Sequence, residues 1–152
     1  MNYEFHTAQD MLELCRRHNL PISEIAKRYE VERSGKSIPA IRNKMKQTRN
    51  IMYEAVRKGV KETQKSEMGM VGGDAHLLEK ALKKLGTMMG NKVTVRAMAY
   101  AMAVGEQNAN MGRIVAFPTA GGAGVIPGTL FSCAEHFKAG KRKLLRSMFC
   151  AS

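Results

Sequence analysis

The chain has no tryptophan, only 6% aromatic residues and three cysteines among 152 residues. Scarcity of aromatic and β-branched runs argues against a β-sandwich or barrel, because strands favour those residue types on a pleated surface. Cys15, Cys133 and Cys150 are odd in number, far apart and lack any C-x-x-C spacing, so they describe neither a disulfide framework nor a zinc site. The four histidines at 6, 18, 76 and 136 likewise share no spacing with one another or with the cysteines that suggests a ligand set or a nucleophile pair. No stretch reaches the roughly 18 uninterrupted apolar residues that a membrane span requires, and Glu4, His6 and Asp10 are wrong for a signal peptide. A cytoplasmic protein with reduced thiols is the expectation, without metal ligands of its own. Acidic residues are also scarce, 13 against 25 lysines and arginines, for a net charge of +12. That excess divides evenly between residues 1–65 and 66–152 instead of marking one face, and no aromatics interleave with the basic residues, so nucleic-acid binding is a minor expectation.

What is present reads as helix. Met, Ala, Leu and Lys dominate, and the apolar positions recur at helical spacing. Ala8, Met11, Leu12 and Cys15 define a first helix over about 8–18, capped by Thr7 and stopped before Pro21. Ser23 is placed to cap a second, whose face is Ile25, Ala26 and Tyr29, with Ser34-Gly35 ending it. From Ser37 a long stripe of Ile41, Met45, Thr48, Met52, Ala55, Val56 and Gly59 predicts a third helix of about six turns. Residues 1–65 form an N-terminal helical segment on this reading. The periodicity then stops at Gly69, Gly72 and Gly73, and 66–152 form the start of a second helical domain.

In that second part Asp74 is suited to cap a helix carrying Leu77, Leu78, Ala81, Leu82 and Leu85, closed by Gly86. A loop near Gly90 leads to a helix of Val93, Ala97, Tyr100, Ala101 and Val104, almost without charge and expected to be buried on most sides. A Gly-rich loop follows, with Pro118-Thr119 at its centre. Gly121, Gly122 and Gly124 permit a nest of N–H groups before a helix carrying Leu130, Phe131, Ala134 and Phe137. Unpaired donors and the positive end of a helix dipole at one spot suit an anion, with the Thr119 hydroxyl as a further donor. Close helix packing through small residues explains the same composition. Leu144, Leu145, Met148 and Phe149 lie on one face of a last helix over 141–150, a face that the preceding helices are not expected to cover. Cys15, Cys133 and Cys150 all sit in helical patterns beside apolar residues and are expected to be small buried thiols.

Residues 108–128, Asn-Ala-Asn-Met-Gly-Arg-Ile-Val-Ala-Phe-Pro-Thr-Ala-Gly-Gly-Ala-Gly-Val-Ile-Pro-Gly, closely resemble the α-chain signature of bacterial iron–sulfur-dependent L-serine dehydratase. The upstream Gly72-Gly73-Asp74-Ala75 and the amphipathic N-terminal helices resemble that family too, so the likeness covers most of the chain. The resemblance implies an all-α fold with a Gly-rich loop between helices, and a lyase that turns L-serine into pyruvate and ammonia. It implies a [4Fe-4S] cluster whose ligand-free iron acts as a Lewis acid on the substrate hydroxyl, an otherwise poor leaving group. Carried over by position, it marks Asn108, Gly112, Thr119, Ala120 and Gly121 as substrate-pocket candidates, without naming a catalytic residue. Where members of the family commonly carry Ser after Ala-Gly, this chain has Gly122, which removes one hydroxyl contact. In the family the ligand cysteines lie downstream of the loop, in a segment that these 152 residues do not include. The expectation is therefore a truncated N-terminal portion of an α chain, completed by a missing C-terminal part and a separate β chain. Two other classes stay open: a non-catalytic remnant or interaction partner that keeps the anion-binding loop, and a basic helical nucleic-acid binder.

Overall fold

A computed structural model describes residues 3–84 and 91–152. Leu85, Gly86 and Gly90, read from the sequence as a helix end and a loop, lie outside the described residues. Among the described residues the fold is all-α, with seven helices and no strand: α1 (Ala8–His18), α2 (Ile22–Ser34), α3 (Ile38–Gly59), α4 (Asp74–Lys84), α5 (Lys92–Ala109), α6 (Val125–His136) and α7 (Lys141–Ala151). Two compact units are formed, one from Met1–Gln47 with Leu145–Ser152, the other from Thr48–Leu144. The break in periodicity at 66–73 is a loop inside the second unit.

In the first unit α1 begins with a complete capping box. The Asp10 N–H donates to Thr7 Oγ1 at 3.1 Å, and the Thr7 N–H returns a bond to Asp10 Oδ2 at 2.9 Å. Asn19 at φ 50° closes the helix. α2 starts at Ile22 with Pro21 in the cap position, so Ser23 is a buried residue of the first turn and not its cap. Gly35, at φ 66°, ends it as the sequence indicates. The core here is Tyr3, Leu14 and Ile25, with Phe5, Met11, Cys15 and Leu20 packed around them. Lys27 is buried, paired with Glu24, and lies 5.5 Å from the centre of the Phe149 ring. Leu145, Met148 and Phe149 of α7 are all buried, which corrects the expectation of an uncovered face on that helix.

The second unit is organised about α5, which packs against α4 and α6. α6 runs antiparallel to α5, because the contacts regress in step. A Cβ on Gly124 would lie 2.9 Å from the Ala101 carbonyl oxygen, one on Gly128 would lie 2.6 Å from that of Ala97, and the Ser132 hydroxyl donates to the Val93 carbonyl. Positions 124, 128 and 132 are one turn apart, so two helices meet backbone to backbone along a seam of small residues. α6 starts at Val125, inside the stretch that reads as loop. Pro127 is tolerated there because a first-turn N–H has no intrahelical partner to lose. α5 is not buried on most sides: Val95, Ala99, Ala103 and Glu106 face inward, while Met98 and Met102 are exposed. Leu77 on α4 and Phe137 after α6 are exposed as well. The cysteines correct a further expectation, since Cys133 and Cys150 are exposed and Cys15 half-buried.

Candidate functional site

Two glycine-bearing loops meet the C-terminal end of α5, one held by the Glu106 side chain and the other by the Gln107 backbone carbonyl. Glu106 is 3% exposed, and its carboxylate accepts from the Gly73 N–H at 3.2 Å and the Ala75 N–H at 2.9 Å. It thereby satisfies donors at the start of α4 and places a negative charge at the positive end of that helix. Gly72 and Gly73 adopt φ of 132° and 87°, and a Cβ on Gly72 would lie 2.4 Å from the Gln64 carbonyl oxygen. Only glycine fits that turn. Gln107, also 3% exposed, takes the Gly112 N–H on its carbonyl at 2.7 Å. A Cβ on Gly112 would come within 2.9 Å of both the Gln107 carbonyl oxygen and its side-chain Oε1.

The sequence reading missed Glu106 and Gln107. The signal was available: Ala99, Ala103 and Glu106 are spaced i, i+4, i+7, which puts one acidic residue on the buried face of an otherwise apolar helix. A buried carboxylate needs partners, and the nearby glycine loop supplies them.

Of the five positions marked by the resemblance, Asn108 is exposed in the last turn of α5 and Gly112 half-buried just beyond it. The Asn108 backbone carbonyl accepts from the Met111 N–H at 3.1 Å. Thr119, Ala120 and Gly121 sit together on an exposed turn, where Ala120–Gly122 form one turn of 3-10 helix ahead of α6. No backbone hydrogen bond among the described residues joins Asn108 or Gly112 to that turn. A cavity of about 310 Å³ beside the end of α5 is lined by Gln107, Asn110 and Met111, and from the preceding loop by Glu62, Lys65 and Glu67.

The loop glycines differ from the expected nest. None of Gly121, Gly122 and Gly124 is in the left-handed region. The Gly122 and Ala123 N–H groups are spent on the Thr119 and Ala120 carbonyls, at 3.1 Å each. Close approach explains Gly122, where a Cβ would lie 2.4 Å from the Phe117 carbonyl oxygen, whereas at Gly121 it would meet only Thr119 Oγ1 at 3.9 Å. Donors for an anion are thus fewer than the composition suggests: the Thr119 hydroxyl, which makes no capping bond, and the first N–H groups of α6, whose cap residue Gly124 offers no side chain. With the helix dipole behind them these still suit a carboxylate.

The residues present do not fit an iron–sulfur cluster. Cys15 and Cys150 belong to the first unit and Cys133 to the second. Among the described residues no group of three or more His, Cys, Asp or Glu side chains is arranged to hold a metal ion. No helix among the described residues is long and apolar enough to cross a membrane.

Residues 17–152 match the family model described as serine dehydratase alpha chain. The chain is 33% identical over 147 residues to the probable L-serine dehydratase alpha chain of Bacillus subtilis (strain 168), an alignment covering 97% of this chain and 48% of the relative. It is 27% identical over 132 residues to the L-serine dehydratase alpha chain of Peptoniphilus asaccharolyticus, covering 87% and 45% respectively. Against L-serine dehydratase TdcG of Escherichia coli (strain K12) the identity is 28% over 137 residues, 84% of this chain and 28% of the relative. The chain therefore spans about half the length of the two alpha chains.

Proposed function

Because the chain belongs to the serine dehydratase alpha-chain family, we propose that it forms the substrate-holding part of an L-serine ammonia-lyase. In that reaction water leaves across the Cα–Cβ bond of L-serine, and the resulting enamine tautomerises and is hydrolysed to pyruvate and ammonia. The substrate carboxylate is held by the Thr119 hydroxyl and the free N–H groups at the start of α6. Ala120 and Gly121 shape the turn beside it, and Asn108 and Gly112 bring the end of α5 to the same substrate. The observation that carries this reading is the exposed Thr119 turn at an uncapped helix N-terminus, within the stretch that matches the family.

A [4Fe-4S] cluster is the proposed cofactor of the complete enzyme, where it supplies Lewis acidity. Because this chain's cysteines do not fit it, its thiolate ligands are assigned to protein outside these 152 residues. The same proposal includes a C-terminal part, a separate β chain and a cytoplasmic location, the last supported by three free cysteines. The test is Thr119→Val in an enzyme completed with those parts. The KM for L-serine is expected to rise about tenfold, the equivalent of one lost hydrogen bond of about 1.4 kcal/mol to a charged group. Unchanged kinetics would remove Thr119 from the substrate site.

A further inference from the structure

Away from the glycine loops, α3, α4, α5 and α6 surround a cavity of about 730 Å³ within the second unit, a size typical of small-molecule sites. None of Asn108, Gly112, Thr119, Ala120 and Gly121 lines it. Its walls differ in charge. Glu79 of α4 and Glu135 of α6 line it and share one cation: Arg96 of α5 stands 3.8 Å from Glu79 and 3.9 Å from Glu135, and the Tyr100 hydroxyl donates to Glu135 at 2.7 Å. Arg57, Lys61 and Lys80 line it as well, at its exposed rim, and form no ion pair with a carboxylate among the described residues. With Arg96 set against the two carboxylates, the cations around the cavity still exceed the anions by two, a surplus that raises the local potential for an anion.

Other groups favour an organic ligand over a bare ion. Val56 and Val60 present apolar surface, and Tyr53 adds a ring, held under the Arg57 guanidinium at 5.8 Å. His76 donates from Nδ1 to the Val60 carbonyl at 3.1 Å, since a carbonyl only accepts, which leaves Nε2 as its other ring nitrogen.

We propose that this cavity binds a small organic dianion, a dicarboxylate or a phosphomonoester, with its charges toward Arg57, Lys61 and Lys80 and its carbon body against Tyr53, Val56 and Val60. The site is independent of the serine loop and adds a second ligand to the protein. Calorimetric titration of the full chain at fixed ionic strength tests it, with succinate and glycerol 3-phosphate as probes and acetate as the monoanion control. One dianion, or both, is expected to saturate a single site at least tenfold more tightly than acetate, and the preferred probe identifies the source as carboxylate or phosphate. The double variant Lys61→Gln/Lys80→Gln is expected to weaken that binding at least tenfold with its helical circular dichroism unchanged. Lys36→Gln, on a residue outside the cavity, is expected to leave it unaltered. No saturable binding by either probe, or equal binding by the double variant, would overturn the proposal.

Discussion

Glycines that look equivalent in the sequence differ in what surrounds them. At Gly122 a Cβ would lie 2.4 Å from a backbone oxygen, and backbone cannot step aside as a flexible side chain can. Gly122→Ala is therefore expected to cost about 1–3 kcal/mol, the usual range for overpacking, and Gly121→Ala less than about 0.5 kcal/mol, since its neighbourhood is open. Urea unfolding of the two variants checks the contrast. Glu106 offers a second contrast. Glu106→Ala leaves two buried N–H groups without an acceptor and is expected to lose about 3 kcal/mol, whereas Glu106→Gln retains one acceptor and loses less. Equal stability of the alanine variant and the parent would show that the α4 start is held by something else. Asn108 and Thr119, by contrast, are exposed, and their substitution should change stability little.

Helix ends and hydrogen bonds between helices carry the pH dependence. In the α1 capping box the Asp10 carboxyl is held below its ordinary value of 3.8, first by the His6 N–H and then by Thr7. A lowered pKa contributes stability that is present above the unfolded value and lost as pH falls through the folded one. The stability difference between the parent and Asp10→Asn is expected to shrink as pH is lowered through that range, measured by denaturant unfolding at successive pH values. Tyr100 works in the opposite sense. Burial first, and then the bond to Glu135, raise its pKa above the ordinary 10.0. Its contribution is complete below that unfolded value and is lost as pH rises toward the folded one. Tyr100→Phe should cost about 1 kcal/mol at neutral pH, and that cost should fade above about pH 10.

Elements also show how far the sequence reaches. Thr7 as a cap, Gly35 as a stop and the α3 stripe from Ile41 to Gly59 are local signals, and they hold in the structure. The start of α6 was obscured because Gly and Pro read as turn, although glycine was needed for the close α5–α6 seam and Pro127 sits where no N–H is required. The apolar face of α7 was legible, but its partners in the first unit are more than a hundred residues away and leave no periodic trace. The 108–128 stretch is legible as a family motif, while Glu106, whose carboxylate holds the Gly73 loop, and Gln107, whose backbone carbonyl holds Gly112, read in the sequence as the tail of a helix.

On the proposed function, labour is divided across the whole molecule: this chain presents the serine loop, and the cluster ligands come from protein beyond it. The +12 net charge is carried by both halves, and one part of it gathers at the α3–α4 cavity. The most direct measurement joins the chain to the portion of the Bacillus subtilis relative that it does not span, supplies that enzyme's other chain, and follows pyruvate release from L-serine after anaerobic iron and sulfide reconstitution. A brown, pyruvate-forming assembly is expected, and a colourless, inactive chain when the same treatment is given to the 152 residues alone. A stable cluster at about one per chain on the 152 residues alone, or a joined assembly that holds its cluster and releases no pyruvate, would contradict that division.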